Sequence, residues 1–263
     1  MMKDMVMKKT LLCAVAVVAL SGGAAQASEG AAASPEHAMP ELNWSFDGPF
    51  GTYDKASLQR GLLVYRQVCS GCHSLKRVAY RNLTALGYSP DQVKAIAGEY
   101  TVMDGPNDEG EMFERPARPS DKFKSPFAND KAAAASNGGS LPPDLSLITK
   151  ARHGGADYVY GVLTGYKVAP EGFSLNDGQY YNTVMAGNII AMPEPLSDGA
   201  VTYEDGSAQT KEQYAKDVAH FLTWTAEPEM EERKRMGIKV VIFLTILAGL
   251  MYAVKRTVWK KVH

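Results

Sequence analysis

Cysteine is scarce in this chain: three in 263 residues, at positions 13, 69 and 72, beside only five histidines. A structural disulfide over the short 69–72 loop would constrain little, and the lack of a second pair leaves zinc two ligands short. A surplus of one charge sign is also missing, with 28 Lys+Arg against 29 Asp+Glu. The balance hides an uneven distribution. Residues 28–230 hold 26 acidic against 17 basic side chains, a surplus of nine negative charges, and the remaining basic residues sit at the two ends. An acidic body excludes nucleic acid as its partner, because a phosphate backbone requires a positive surface. It suits a basic protein instead. The 45% hydrophobic and 22% charged content is ordinary for a globular chain, which excludes wholesale disorder.

The two ends set the compartment. Lys3, Lys8 and Lys9 precede a short apolar run over 11–20, and Ala25-Gln26-Ala27 forms an A-x-A cleavage site. That order predicts a secretory signal over 1–27, removed to leave Ser28 first. Cys13 lies near the start of the apolar run behind Leu12, which is not a small residue, so a lipoprotein cysteine is disfavoured. Near the other end, residues 237–254 read GIKVVIFLTILAGLMYAV. At 1.5 Å per residue they reach roughly 27 Å, close to the hydrocarbon thickness of a bilayer. Lys239 lies near one edge, where it can snorkel, and basic clusters flank both sides. The expectation is one transmembrane helix, a body over 28–236 exported to the periplasm, and a tail over 255–263 left in the cytoplasm of a bacterial inner membrane.

With Cys13 lost to the signal, the only thiols are Cys69 and Cys72, followed at once by His73. Cys69-Ser70-Gly71-Cys72-His73 is C-x-x-C-H, the attachment pattern of haem c. On one helical turn two thiols reach two vinyl groups on one porphyrin edge, and the adjacent imidazole turns to the iron. A thioredoxin-like dithiol would want a buried strand before it, whereas the residues before Cys69 read as helix. Leu58, Leu62, Tyr65 and Val68 share one face, and Asp54 or Thr52 could cap the start. Late in the body, Thr210-Lys211-Glu212-Gln213 reads as a capping box that opens a second helix, apolar at Tyr214, Val218, Phe221 and Leu222. On that helix His220 lies about 200° from Val218 and is expected to face solvent. Helix, haem motif, long middle and closing helix predict a mostly α, cytochrome c-like domain with long loops, plus the C-terminal transmembrane helix.

A second axial ligand has to come from elsewhere. His37, His153, His220 and the methionines of the body are the candidates. Met39, Met103 and Met112 fall in polar or irregular segments, and Met230 abuts the membrane helix. Met192, before Pro193-Glu194-Pro195, sits on a stiff loop that could hold a sulfur in place. Met185 and His153 stay open beside it.

Over about residues 44–259 the sequence resembles the cytochrome c1 family. The strings that carry the resemblance are WSFDGPFGTYDKASLQRGLLVYRQVCSGCHSLKRVAYR, LPPDLSLITKARHGGADYVYGVLTGY, AMPEPL, VTYEDGS and KDVAHFLTWTAEPEMEERKRMG. The resemblance implies one covalent haem c on Cys69 and Cys72, with His73 as proximal and Met192 as distal iron ligand. It also implies that Arg152 pairs with a haem propionate and that Pro143 packs on the haem face beside His73. The implied role is an electron-transfer subunit of quinol–cytochrome c reductase. Its implied partners are a cytochrome b subunit, a Rieske iron–sulfur protein and a c-type cytochrome acceptor, beside the lipid bilayer. A free-standing membrane-anchored carrier is the alternative. Asp104, Asp108, Glu109, Glu111 and Glu114 lie within eleven residues, either as a solvated loop or as a surface that steers a basic acceptor.

Overall fold

A computed structural model describes residues 39–260. The signal segment over 1–27 and His37 lie outside the described residues, as does the end of the tail. The described chain is mostly helical. Helix α1 (Lys55–Val64) starts where Asp54 accepts from the N–H groups of Ala56 and Ser57, at 3.2 and 3.3 Å. It runs on into one π-helical turn, Tyr65–Cys69. Next come a 3-10 turn (Tyr80–Leu86), α2 (Pro90–Gly98), the antiparallel pair β1 (Thr101–Asp104) and β2 (Phe113–Pro116), and α3 (Asp130–Ser136). Short α4 (Ile148–Ala151) leads to α5 (Gly155–Thr164), a two-residue strand pair β3 (Tyr180–Tyr181) and β4 (Ile189–Ile190), then α6 (Lys211–Ala226) and α7 (Met230–Trp259).

The core forms where α6 meets α1, α4 and α5. Leu58 and Leu62 of α1, Tyr65 of the π turn, and Tyr214, Val218, Phe221 and Leu222 of α6 are all buried, as their spacing predicts, while Val68 is half-buried. The closeness of α1 and α6 depends on Gly61. A Cβ at that position would lie 2.1 Å from the Asp217 carbonyl oxygen and 2.6 Å from the Phe221 Cβ. Asp217 is a fully buried carboxylate at this crossing. It accepts from Arg60 Nε and Nη2 at 2.9 and 3.1 Å, and from Tyr203 Oη and Gln213 Nε2 at 3.0 Å each. Its desolvation is thereby offset by charge-assisted bonds on both oxygens.

Two local expectations are corrected here. Thr210 does cap α6, accepting from Gln213 N at 3.3 Å, but the capping box is only half made. The Gln213 side chain turns away to serve Asp217, because a buried carboxylate needs donors more than an exposed helix end does. The complete box is at Ser89, where Ser89 Oγ accepts from Gln92 N and Gln92 Oε1 accepts from Ser89 N. The second correction is His220, which is buried rather than solvent-facing. Its ring packs 5.0 Å from Phe46, 5.8 Å from Tyr53 and 6.3 Å from Trp44, and its Nε2 accepts from Asp54 N. The loop before α1 covers the face of α6 that neighbouring helices leave open, so an angle on the helix wheel does not lead to water.

Helix α7 spans 30 residues, about 45 Å at 1.5 Å per residue, and is long and apolar enough to cross a membrane. Its apolar side chains from Ile238 to Val258 are exposed.

Candidate functional site

Local chain geometry presents the two thiols together. The π-helical turn ends α1 with Ser70 N bonded to Tyr65 O at 2.8 Å. The Cys69 carbonyl then receives both Cys72 N at 3.1 Å and His73 N at 2.9 Å. Cys69 and Cys72 are free thiols on this tight turn. Burial, with a smaller push from Cys72, raises the Cys69 thiol to about 12, so it stays protonated at neutral pH.

His73 is fixed from two sides. Tyr65 Oη donates to the His73 carbonyl at 3.0 Å, and the His73 Nδ1 lies 2.8 Å from the Pro143 carbonyl oxygen. A carbonyl only accepts, so Nδ1 carries the proton and Nε2 keeps its lone pair for a metal. Burial lowers the His73 pKa, against the opposing pull of Pro143 and Asp144, which favours the neutral, ligating form. The structure thus brings the Pro143 carbonyl to the His73 ring.

Asp144, which sequence reasoning passed over, holds the Pro143 segment in place. Its carboxylate accepts from Ser74 Oγ and Lys76 N at 2.8 Å each and from Ser146 N at 3.0 Å. Leu145 N adds a bond to Ser74 O at 2.9 Å. Burial opposes ionisation of Asp144, but these hydrogen bonds outweigh it and hold the carboxyl below its usual range. The signal was Asp directly after Pro-Pro, where it caps a turn.

The candidate distal ligands differ in what their sulfurs already hold. Met192 is half-buried against the core, and its carbonyl accepts from Tyr166 Oη at 3.0 Å. Met185 is also half-buried, but its Sδ accepts from Tyr158 Oη at 3.4 Å. Met103 and Met112 are exposed on the β1–β2 hairpin, Met230 is buried at the start of α7, and His153 is exposed. Arg152 is exposed at the end of α4. Two adjacent thiols and an imidazole with one nitrogen reserved have the chemistry that fits haem c.

The acidic run is the β1–β2 hairpin and its turn. Asn107 organises the tip, accepting from Glu109 N and Glu111 N at 3.1 and 2.8 Å. Asp104 departs from the expectation of five free charges, because Arg115 clamps it to Asp121. Its carboxyl is held below the usual range first by the Arg115 hydrogen bond. Asp108, Glu109, Glu111 and Glu114 remain exposed.

Comparison with known proteins places this geometry. Residues 44–262 match the sequence profile of the Cytochrome C1 family. The chain is 46% identical to cytochrome c1 of Rhodospirillum rubrum over 273 residues, covering 98% of each. It is 48% identical to the mitochondrial heme protein cytochrome c1 of Saccharomyces cerevisiae over 227 residues, covering 85% of this chain and 74% of the other. A protein of Bradyrhizobium diazoefficiens named cytochrome b/c1 is 49% identical over 282 residues. There the match takes in 96% of this chain but only 40% of the longer protein. The C-x-x-C-H turn lies within the matched span, so sequence, helical architecture and site chemistry agree: the chain belongs to the cytochrome c1 family.

Proposed function

We propose that the chain is the membrane-anchored, monohaem c subunit of a quinol–cytochrome c reductase. In this reading it accepts single electrons from a Rieske iron–sulfur protein and passes them to a soluble or anchored c-type cytochrome. The observation that carries the reading is the His73–Pro143 hydrogen bond beside the Cys69 and Cys72 thiols, in a chain of this family. Cys69 and Cys72 would hold the group covalently through their sulfurs. His73 Nε2 and Met192 Sδ would bind its iron, the Pro143 carbonyl would keep the His73 tautomer, and Arg152 would offer its guanidinium to a propionate. When bound, haem c supplies a one-electron iron couple, whose ferrous form thioether ligation favours. With His73 and Met192 both engaged, no open iron site would remain for oxygen or peroxide, so the chain would carry electrons and make no bonds in a substrate.

In the assembled enzyme the quinol is oxidised on a cytochrome b subunit. The organisation that fits is a cleaved signal over 1–27, a periplasmic haem domain over 28–236, a membrane helix over 237–254 and a cytoplasmic tail over 255–263. Gentle detergent extraction followed by affinity capture of this chain tests the reading. A b-type haem protein and an iron–sulfur protein are expected to co-purify, and quinol should reduce the c-type haem of the preparation. Recovery of the chain with covalent haem and neither partner would make it a free-standing carrier.

A further inference from the structure

The loop before α1 holds two aromatic residues inward and one outward. Trp44 and Phe46 are buried, whereas Phe50 is 80% exposed. The loop is rigid. Asp47 N bonds to Trp44 O at 3.0 Å, Thr52 N to Ser45 O at 2.9 Å, and Trp44 Nε1 to Asp157 Oδ1 at 2.8 Å. The turn closes so tightly at Gly51 that a Cβ would stand 2.1 Å from the Asp47 carbonyl oxygen. Phe50 stands next to this closed turn with its ring outward.

The same loop is tied to the start of α7. Lys234 Nζ donates to the carbonyls of Phe46 and Gly51 at 2.6 and 3.2 Å, and Tyr53 N donates to Glu231 Oε1 at 2.8 Å. Lys234 lies three residues before Gly237, about 4.5 Å along the helix axis. The polar layer on each side of a bilayer is about 5–7 Å deep. A loop held at Lys234 thus lies level with the headgroups if 237–254 fills the hydrocarbon. Aromatic rings concentrate at that depth. Exposed Arg235 and Lys239 on the same stretch of α7 suit anionic headgroups.

We propose that the loop over 44–51 is a second membrane contact, with Phe50 inserted among lipid headgroups beside the start of α7. The proposal rests on the reading of α7 as a membrane anchor. Two attachments, one helix and one aromatic, restrict rotation of the haem domain about α7 and set the height of Cys69–His73 above the bilayer.

Photo-crosslinking in native membranes tests this on the full chain. The photoreactive analogue p-benzoylphenylalanine replaces, one at a time, Phe50, Leu247 in the middle of the apolar helix, and Val168. Val168 is 95% exposed on the loop after α5, which pairs with β3 rather than with α7. After irradiation, mass analysis should find phospholipid adducts at Phe50 and Leu247, several-fold more abundant than at Val168. Adducts at Leu247 with none at Phe50, or with protein adducts alone at Phe50, would overturn the proposal and leave the anchor intact. Lipid labelling at Val168 equal to that at Phe50 would overturn it as non-specific. Failure at Leu247 would remove the anchor reading and the proposal with it.

Discussion

Met185 and Met192 stand seven residues apart and differ in the state of their sulfurs. Tyr158 already donates to the Met185 Sδ, whereas Tyr166 steadies the Met192 backbone and leaves its sulfur alone. Met192→Leu should therefore keep covalent haem but lower its potential by on the order of hundreds of millivolts, within the roughly 0.8 V that axial ligands command. Met185→Leu should change it little. A redox titration of both variants decides the ligand, and a fall at Met185 alone would reverse the assignment. His220 makes a different kind of prediction. Burial lowers its pKa to about 4, with Asp54 and Asp217 favouring protonation and Lys216 and Arg60 opposing it. Its folded pKa is depressed below the usual 6.5 or so. The stability it contributes is thus complete above about pH 6.5 and lost as pH falls towards 4, because the unfolded chain takes up the proton first. The loss is at most roughly 3 kcal/mol. His220→Gln should flatten the fall of the denaturation midpoint between pH 7 and pH 4.5, measured on the detergent-solubilised chain.

At the scale of elements, the meeting of α1 and α6 carries the site. Residues Tyr65 to Cys69 continue α1 directly into the thiols, so any shift of α1 against α6 moves the attachment turn. Gly61 is the point of least tolerance, since a Cβ there meets the α6 backbone rather than a side chain that could move aside. Gly61→Ala should cost about 3 kcal/mol, the upper part of the overpacking range, even though alanine is the better helix former. A lowered thermal midpoint, with haem content unchanged in the chain that folds, would show it. A neutral result would mean that α1 can slide along α6. The buried Asp217 limits such sliding, because Arg60 on α1 is bonded to it across the crossing.

For the whole molecule, charge placement matters more than net charge. The exposed carboxylates of the β1–β2 hairpin and its turn stand beside the clamp of Arg115 on Asp104 and Asp121. Neutralising Asp108, Glu109, Glu111 and Glu114 to their amides should slow reduction of a basic cytochrome acceptor chiefly at low ionic strength, since screening already weakens the attraction at high salt. Asp104 is best left in place, because its loss would disturb the hairpin and confound the rate. Stopped-flow reduction at several salt concentrations is the measurement. An unchanged salt slope would return these residues to a solvated turn.

The contiguous features were legible in the residues alone. C-x-x-C-H, the helix that leads into it, the apolar faces of α1 and α6, and an apolar C-terminal helix are all set by near neighbours in sequence, where periodicity and spacing act. The family strings singled out Met192 from Met185 and His153 and added Arg152 and Pro143 as expected site residues. The tertiary structure decided what depends on distant partners. The proton on His73 Nδ1 follows from a carbonyl 70 residues away. The Tyr158 hydroxyl on the Met185 sulfur joins positions 27 residues apart. Periodicity told which residues share a face of α6 but not that a loop would cover the face bearing His220. The same limit hid the clamp on Asp104 and the outward ring of Phe50, because a pattern of residues specifies which side is apolar and only packing specifies what lies against it.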